Sequence, residues 1–254
     1  MSRLFFIDEN QIQNGIINFD KKTARHFVAL RKNSDDIIFC SLQMDDKKFI
    51  ICKALLRKNT LTNSFTGEII TMTEQEMRDT TKIHILQCIP KLDKLEVIVQ
   101  KCGELGVFEI NPLISHYTQN HKSYTEIKQL RTQNIAKEAS VQSGRIDIIQ
   151  IGPVKTLRAY LTVNKENLLK ETSLNILLNE YEKEIRLLNF IHTLDKYNDI
   201  YILIGSEGGF DAEEIRLAED TYNFHSITLG ERILRTETAS IVIASILQFQ
   251  LGEI

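Results

Sequence analysis

The chain has 254 residues, enough for one large domain or two smaller ones, and 43% of them are apolar, so a substantial core can be buried. Charged residues make up 26%, and there are only eleven glycines and three prolines, which excludes a disordered or low-complexity protein. The net charge of −3 is uneven: residues 1–73 hold 11 Lys/Arg against 8 Asp/Glu and the remainder 20 against 26, so a modestly basic first part precedes an acidic one and points to a polyanionic partner.

The opening "MSRLFFIDEN" meets Asp8 and Glu9 before any long apolar core, so no signal peptide is expected. The longest apolar stretch, "IVIASILQFQL" near the C-terminus, is shorter than the ~20 residues that span a bilayer. The expectation is a cytoplasmic protein with no membrane partner. Cys40, Cys52, Cys88 and Cys102 lack C-x-x-C spacing and read as buried free thiols of a reducing compartment. His116 and His121 stand in a polar stretch without nearby cysteines, so no metal site is expected.

Along the chain, "KKTARHFVALRKNSDD" (21–36) reads as a short helix and a turn carrying Arg25, His26, Arg31 and Lys32. "DIIFCSL" (36–42), "FIICKALL" (49–56) and "FTGEIITM" (65–72) read as strands, with "QMDDKK" as a hairpin connection. A small barrel with a basic edge fits residues 1–73. The polar "TEQEMRDTT" (73–81) marks a boundary, giving a second domain over 74–254.

Beyond it the period changes. "KIHILQCI" (82–89) is a buried strand, and Leu92, Leu95, Val99 and Cys102 repeat at helical spacing up to Gly106. "FEINPLIS" (108–115), "IDIIQIGP" (146–153), "LNILLNE" (174–180), "IYILIG" (200–205) and "HSITLG" (225–230) are further strands. Helices are expected at 124–144, 183–193, 211–222 and 236–251. This alternation predicts an α/β domain with a largely parallel sheet, whose ligands bind beyond the carboxyl ends of the strands.

Three stretches could carry chemistry. In "IGSEGGFDAEEI", glycines allow close approach of a ligand, while Asp211 with Glu214 forms a capping box, so a cradle and a tight turn are both compatible. The loop matches neither G-x-G-x-x-G nor a P-loop, and Glu207 disfavours a phosphate but tolerates a cationic ligand such as S-adenosylmethionine (SAM). In "LGERILRTETASIVIASIL", a charged loop with Arg232 and Arg235 precedes a nearly all-apolar helix; these arginines could hold an RNA phosphate or base, or be surface charges. In "EASVQSGR", Arg145 closes a helix, where it satisfies the helix dipole or grips a nucleotide.

Together, "ARHFVALR", "PKLDKLEVIVQKCGELGVFEINPL", "AKEASVQSGR", "LIGSEGGF" and "LGERILRTETA" make the chain resemble the RsmE family of SPOUT-superfamily methyltransferases, which act on N3 of a uridine in 16S ribosomal RNA. Two departures stand out: Ser206 where the family pattern has proline, and Lys101-Cys102-Gly103-Glu104 where it has "KATE". The resemblance implies an N-terminal PUA-like barrel that binds RNA, a C-terminal SPOUT domain with a trefoil knot, and a homodimer acting on the small ribosomal subunit. It implies SAM cradled by Leu178, Asn179 and Glu180, by Ile204, Gly205, Glu207, Gly208 and Gly209, and by Leu229, Gly230, Ile233 and Leu234. Arg145 and Arg235 are expected to stabilise charge on the uracil or hold a phosphate, with Glu237 or Glu207 as candidate base. Arg25, His26, Arg31, Lys32 and Arg232 are expected to contact RNA. A ribose 2′-O methyltransferase of the same superfamily and a non-catalytic RNA-binding or ribosome-assembly protein are the alternatives.

Overall fold

The computed structural model describes all residues except 1, 2, 46, 63, 79, 120–123 and 125, and only the backbone of 126 and 127. The chain divides into two compact units: Met1–Asp79 with Ser140–Ile148, and Thr80–Ala139 with Ile149–Ile254.

The first unit contains β1 (Leu4–Ile7), β2 (Ile12–Gln13), β3 (Ile16–Asn18), α1 (Lys21–Ala29), β4 (Ile37–Gln43), β5 (Lys48–Asn59) and β6 (Ser64–Glu76). The strands form one sheet in the order β1-β4-β5-β6-β3-β2. Among the described residues, only the β1–β4 pair of this sheet is parallel. Asp20 caps α1 by accepting the Thr23 N–H at 2.6 Å. Ala24 and Phe27, three apart, face inward. Phe27 is fully buried and meets Phe5 and Phe19 edge-on at 4.7 and 4.9 Å. This apolar side leaves Arg25 and Arg31 exposed. Lys32 pairs with Asp36 at 3.8 Å, and His26 stands edge-on to Phe5 at 5.8 Å.

The expected boundary at 73/74 falls inside β6, because pairing with β5 continues to Lys48 opposite Glu76. Residues 140–148, assigned by sequence to the second domain, belong to the first unit. Val141 joins its core, and the Ser41 hydroxyl donates to the Ile146 carbonyl at 2.7 Å. That placement also explains why the strand expected over 146–153 shrinks to two residues.

The second unit continues with β7 (Lys82–Cys88), α2 (Leu92–Glu104), β8 (Glu109–Ile114), α3 (Glu126–Ser143, whose last turn counts with the first unit), β9 (Gln150–Ile151), β10 (Lys155–Thr156), α4 (Leu157–Val163), α5 (Lys165–Leu168), β11 (Ser173–Leu178), β12 (Asp199–Ile204), α6 (Ala212–Tyr222), β13 (Phe224–Ile227) and α7 (Thr236–Gln250). The sheet runs β10-β8-β7-β12-β11-β13, with β9 also on β8, and every described pair is parallel. Its central strands are near-continuous apolar runs, as a sheet covered on both faces requires. Gly103 lets α2 approach its neighbours: an added Cβ would lie 3.1 Å from the Ala139 Cβ and 3.3 Å from the Ile149 Cγ2.

The α-helix expected at 183–193 is replaced by two short 3-10 turns, Leu187–Asn189 and Ile191–Lys196. The Glu182 carboxylate accepts the N–H groups of Lys183, Glu184 and Ile185 at 2.9, 2.7 and 3.0 Å, and the Asn189 Oδ1 takes that of Arg186 at 2.8 Å.

At the amino ends of the strands, His84 is buried between two carboxylates, with Nδ1 3.2 Å from Glu109 and Nε2 2.8 Å from Asp199. Its ring stacks on Tyr201 at 4.4 Å.

Candidate functional site

Leu178, Ile204 and Ile227 are the last residues of β11, β12 and β13. The loops leaving them enclose a cavity of about 740 Å³, in the size range of small-molecule sites and at the end of the sheet where such sites form.

Eleven of the twelve residues expected to bind the cofactor line this cavity: Leu178, Asn179 and Glu180; Ile204, Gly205, Glu207 and Gly209; and Leu229, Gly230, Ile233 and Leu234. Gly208 is not among the lining residues. It lies against Tyr117, whose Cβ would be 2.8 Å from a Cβ added there. Arg232, expected to contact RNA, and Arg235 also line the cavity. Ile233 is 79% exposed, so it stands at the rim rather than over a buried ring.

The Gly205–Gly209 loop is tight for steric reasons. A Cβ on Gly205 would come within 2.9 Å of the Gly209 Cα, and Gly209 itself has φ +67°. Ser206, standing where proline was expected, is buried; its hydroxyl donates to the Tyr117 carbonyl at 3.4 Å, and its own carbonyl accepts the Gly209 N–H at 3.1 Å. The turn is therefore held by hydrogen bonds instead of a fixed ring. Asp211 caps α6 and forms the box read from sequence: Glu214 N–H to Asp211 at 2.8 Å, and Asp211 N–H to Glu214 at 3.2 Å. Asp211→Ala should lower stability by about 1 kcal/mol in urea unfolding.

Two groups that sequence reasoning missed organise the cavity wall. Lys94 Nζ stands 3.0 Å from Glu207 and 3.7 Å from Glu237. Burial pulls the Glu207 carboxyl upward, but the Lys94 hydrogen bond and the Glu207 and Lys91 N–H groups outweigh it and hold it below the usual carboxylate range. The Glu207 hydrogen bond correspondingly raises Lys94. A paired, easily ionised carboxylate is a weak base, so Glu207 braces the loop. Glu237 lies in the first turn of α7, is not among the lining residues, and faces Lys94. Behind the wall, the buried Gln87 amide donates to Thr236 Oγ1 at 2.9 Å and to the Gly205 carbonyl at 3.3 Å. Thr236 Oγ1 donates to the same carbonyl at 2.7 Å.

The expected substrate arginines differ in their surroundings. Arg235 is the N-cap residue of α7, exposed, with no side-chain hydrogen bond or ion pair among the described residues. Arg145 belongs to the first unit, and its guanidinium forks onto Asp147 at 3.0 and 2.7 Å. Arg25, His26, Arg31 and Lys32 lie on and just after α1 in the first unit.

Among the described residues, no three His, Cys, Asp or Glu gather to hold a metal, and His121 lies outside them. His116 faces Asp211 at 3.4 Å. Among the described residues no helix is long and apolar enough to cross a membrane. All four cysteines are free and buried.

A family model described as an RNA methyltransferase domain matches residues 77–248. A ribosomal RNA small subunit methyltransferase E of Buchnera aphidicola is 34% identical over 76% of this chain and 76% of its own. A protein of the same name from Mesomycoplasma hyopneumoniae is 32% identical over 93% and 95%. The solved structure of a Legionella pneumophila protein in complex with the bound cofactor SAM is 28% identical, with a TM-score of 0.77 over 98% of both chains. The cavity, the parallel sheet that presents it and these likenesses converge: the chain belongs to the family of ribosomal RNA small subunit methyltransferase E.

Proposed function

We propose that this protein transfers the methyl group of SAM to N3 of a specific uridine in the 16S rRNA of the small ribosomal subunit. The observation that carries the reading is the cavity at the carboxyl ends of β11, β12 and β13. Its lining fits the cofactor: Leu178, Ile204, Phe210 and Leu234 offer apolar surface to a purine, and Glu180 and Glu182 suit a cationic donor. The relative of known structure with bound SAM supports the same reading.

When bound, the cofactor supplies a methyl group already activated by its sulfonium. The chain's work is then to position the base and manage its charge. Arg235, whose guanidinium is unpaired among the described residues, stabilises the negative charge that develops on a uracil oxygen as N3 gives its proton to water. Arg145, two of whose five N–H donors go to Asp147, is assigned to a phosphate of the RNA. Lys94 pairs with Glu207 and Glu237 and braces the loop after β12 against the start of α7.

The finer architecture follows the same family reading. The first unit is a PUA-like barrel that binds RNA. The second is a SPOUT knot: after β13 at the sheet edge the chain returns to set Thr236 on the carbonyl of Gly205, beyond β12. The protein acts as a homodimer in the cytoplasm.

Incubation with SAM and undermethylated small subunits, followed by nucleoside mass spectrometry, tests the proposal. 3-Methyluridine is the expected product; a 2′-O-methylated nucleoside or no product would refute it. RNA affinity should fall as salt rises. Replacing Arg25 and Arg31 together with alanine should flatten the slope of log affinity against log salt by about 1.5, since each phosphate contact contributes roughly 0.7–0.9. A wild-type slope in that variant would remove α1 from the RNA surface.

A further inference from the structure

Gln87 and Lys94 lie at the end of β7 and in the first turn of α2, and Lys94 lines the cavity. Both join the same two segments, the loop after β12 and the start of α7. Gln87, fully buried, reaches Gly205 on the first segment and Thr236 on the second, at 3.3 and 2.9 Å. Its carbonyl oxygen accepts the Ser240 hydroxyl of α7 at 2.7 Å. Lys94 repeats the pattern with charge, holding Glu207 of the loop at 3.0 Å and Glu237 of α7 at 3.7 Å. The Lys91 N–H adds a third tie to Glu207 at 3.3 Å.

We infer that Gln87 and Lys94 are positioning residues, a double clasp that sets the spacing of the two loops and thereby the shape of the cavity they wall. The inference rests on reading that cavity as the SAM site. Three physical points support it. A loop with three glycines in five positions loses much entropy on ordering and needs external ties. Ties made before ligand arrives lower the ordering cost of binding. And the buried Glu237 Oε2 has no hydrogen-bond partner among the described residues, so Lys94 is the compensating charge that keeps it there.

The variants Lys94→Met and Lys94→Arg test it, with Gln87→Met alongside. In cofactor-free protein, Lys94→Met and Gln87→Met should speed hydrogen exchange of residues 205–210, while Lys94→Arg stays near wild type. Lys94→Met should weaken SAM binding by calorimetry about tenfold, or about 1.4 kcal/mol. It should raise the KM for SAM in proportion and leave the KM for ribosomal subunits unchanged; Lys94→Arg should restore most of the loss. Wild-type exchange and SAM affinity in Lys94→Met, or an equal loss in Lys94→Arg, would overturn the clasp. If the wild-type protein binds no SAM, the cofactor reading falls, and the exchange measurement still decides the clasp by itself.

Discussion

Arg235→Ala should cut methyl transfer to small ribosomal subunits roughly 100- to 1000-fold, the scale seen when a preorganised donor to a developing anion is removed. SAM affinity should stay unchanged, because the proposal assigns the Arg235 guanidinium to the uracil and not to the cofactor. The side chain is exposed at the N-cap of α7, makes no ion pair among the described residues, and lines the cavity. Its loss therefore costs little in folding, and the deficit belongs to the reaction. Steady-state rates with saturating SAM, set beside calorimetric SAM titration, separate the two effects. Full activity of the variant would remove Arg235 from the mechanism.

His84→Leu should destabilise the protein by about 3 kcal/mol, the low end for removing one partner of a buried ionic group, because Glu109 and Asp199 keep some contact with water. The variant leaves two carboxylates facing each other without the cation that joined them. Burial works against a charged His84, but the hydrogen bonds to Asp199 and Glu109 prevail and raise it above its ordinary 6.5. That contribution is full below 6.5 and fades as pH rises through the raised value. Both carboxylates are lowered. For Asp199 the His84 hydrogen bond is the largest cause; for Glu109 burial is the largest influence and opposes the shift, and the hydrogen bonds of His84 and Asn111 with the charges of His84 and Lys155 together outweigh it. Their share is present above their ordinary 3.8 and 4.5 and is lost as pH falls through the lowered values. The difference between wild type and variant should thus be largest between about pH 4.5 and 6.5 and shrink on the alkaline side. Urea titrations at about pH 5.5 and about pH 8.5 measure it. An equal difference at both would mean that His84 is neutral in the folded state.

Much of the site was legible before any coordinates. The Gly205–Gly209 loop announces itself through glycines that no side chain could replace at such close approach, and the capping box of Asp211 and Glu214 is a three-residue spacing. The apolar runs ending at Leu178, Ile204 and Ile227 place the cavity, because parallel strands all present their carboxyl ends to one side. Local signals failed at 183–193, where the chain forms two short 3-10 turns in place of the expected α-helix.

By itself the sequence determined the alternation of strands and helices, the three loops that line the cavity, and the basic face of α1, since each rests on residues within about ten positions of one another. Only the tertiary structure decided which charges meet. Lys94 and Glu207, Gln87 and Thr236, and His84 and Asp199 are each more than a hundred positions apart, and no spacing rule links them. It also decided that Arg145 is tied to Asp147 while Arg235 is unpaired among the described residues, and that residues 140–148 pack with the first unit. Long-range pairing depends on the order in which strands join a sheet, and in this sheet β7 lies beside β12.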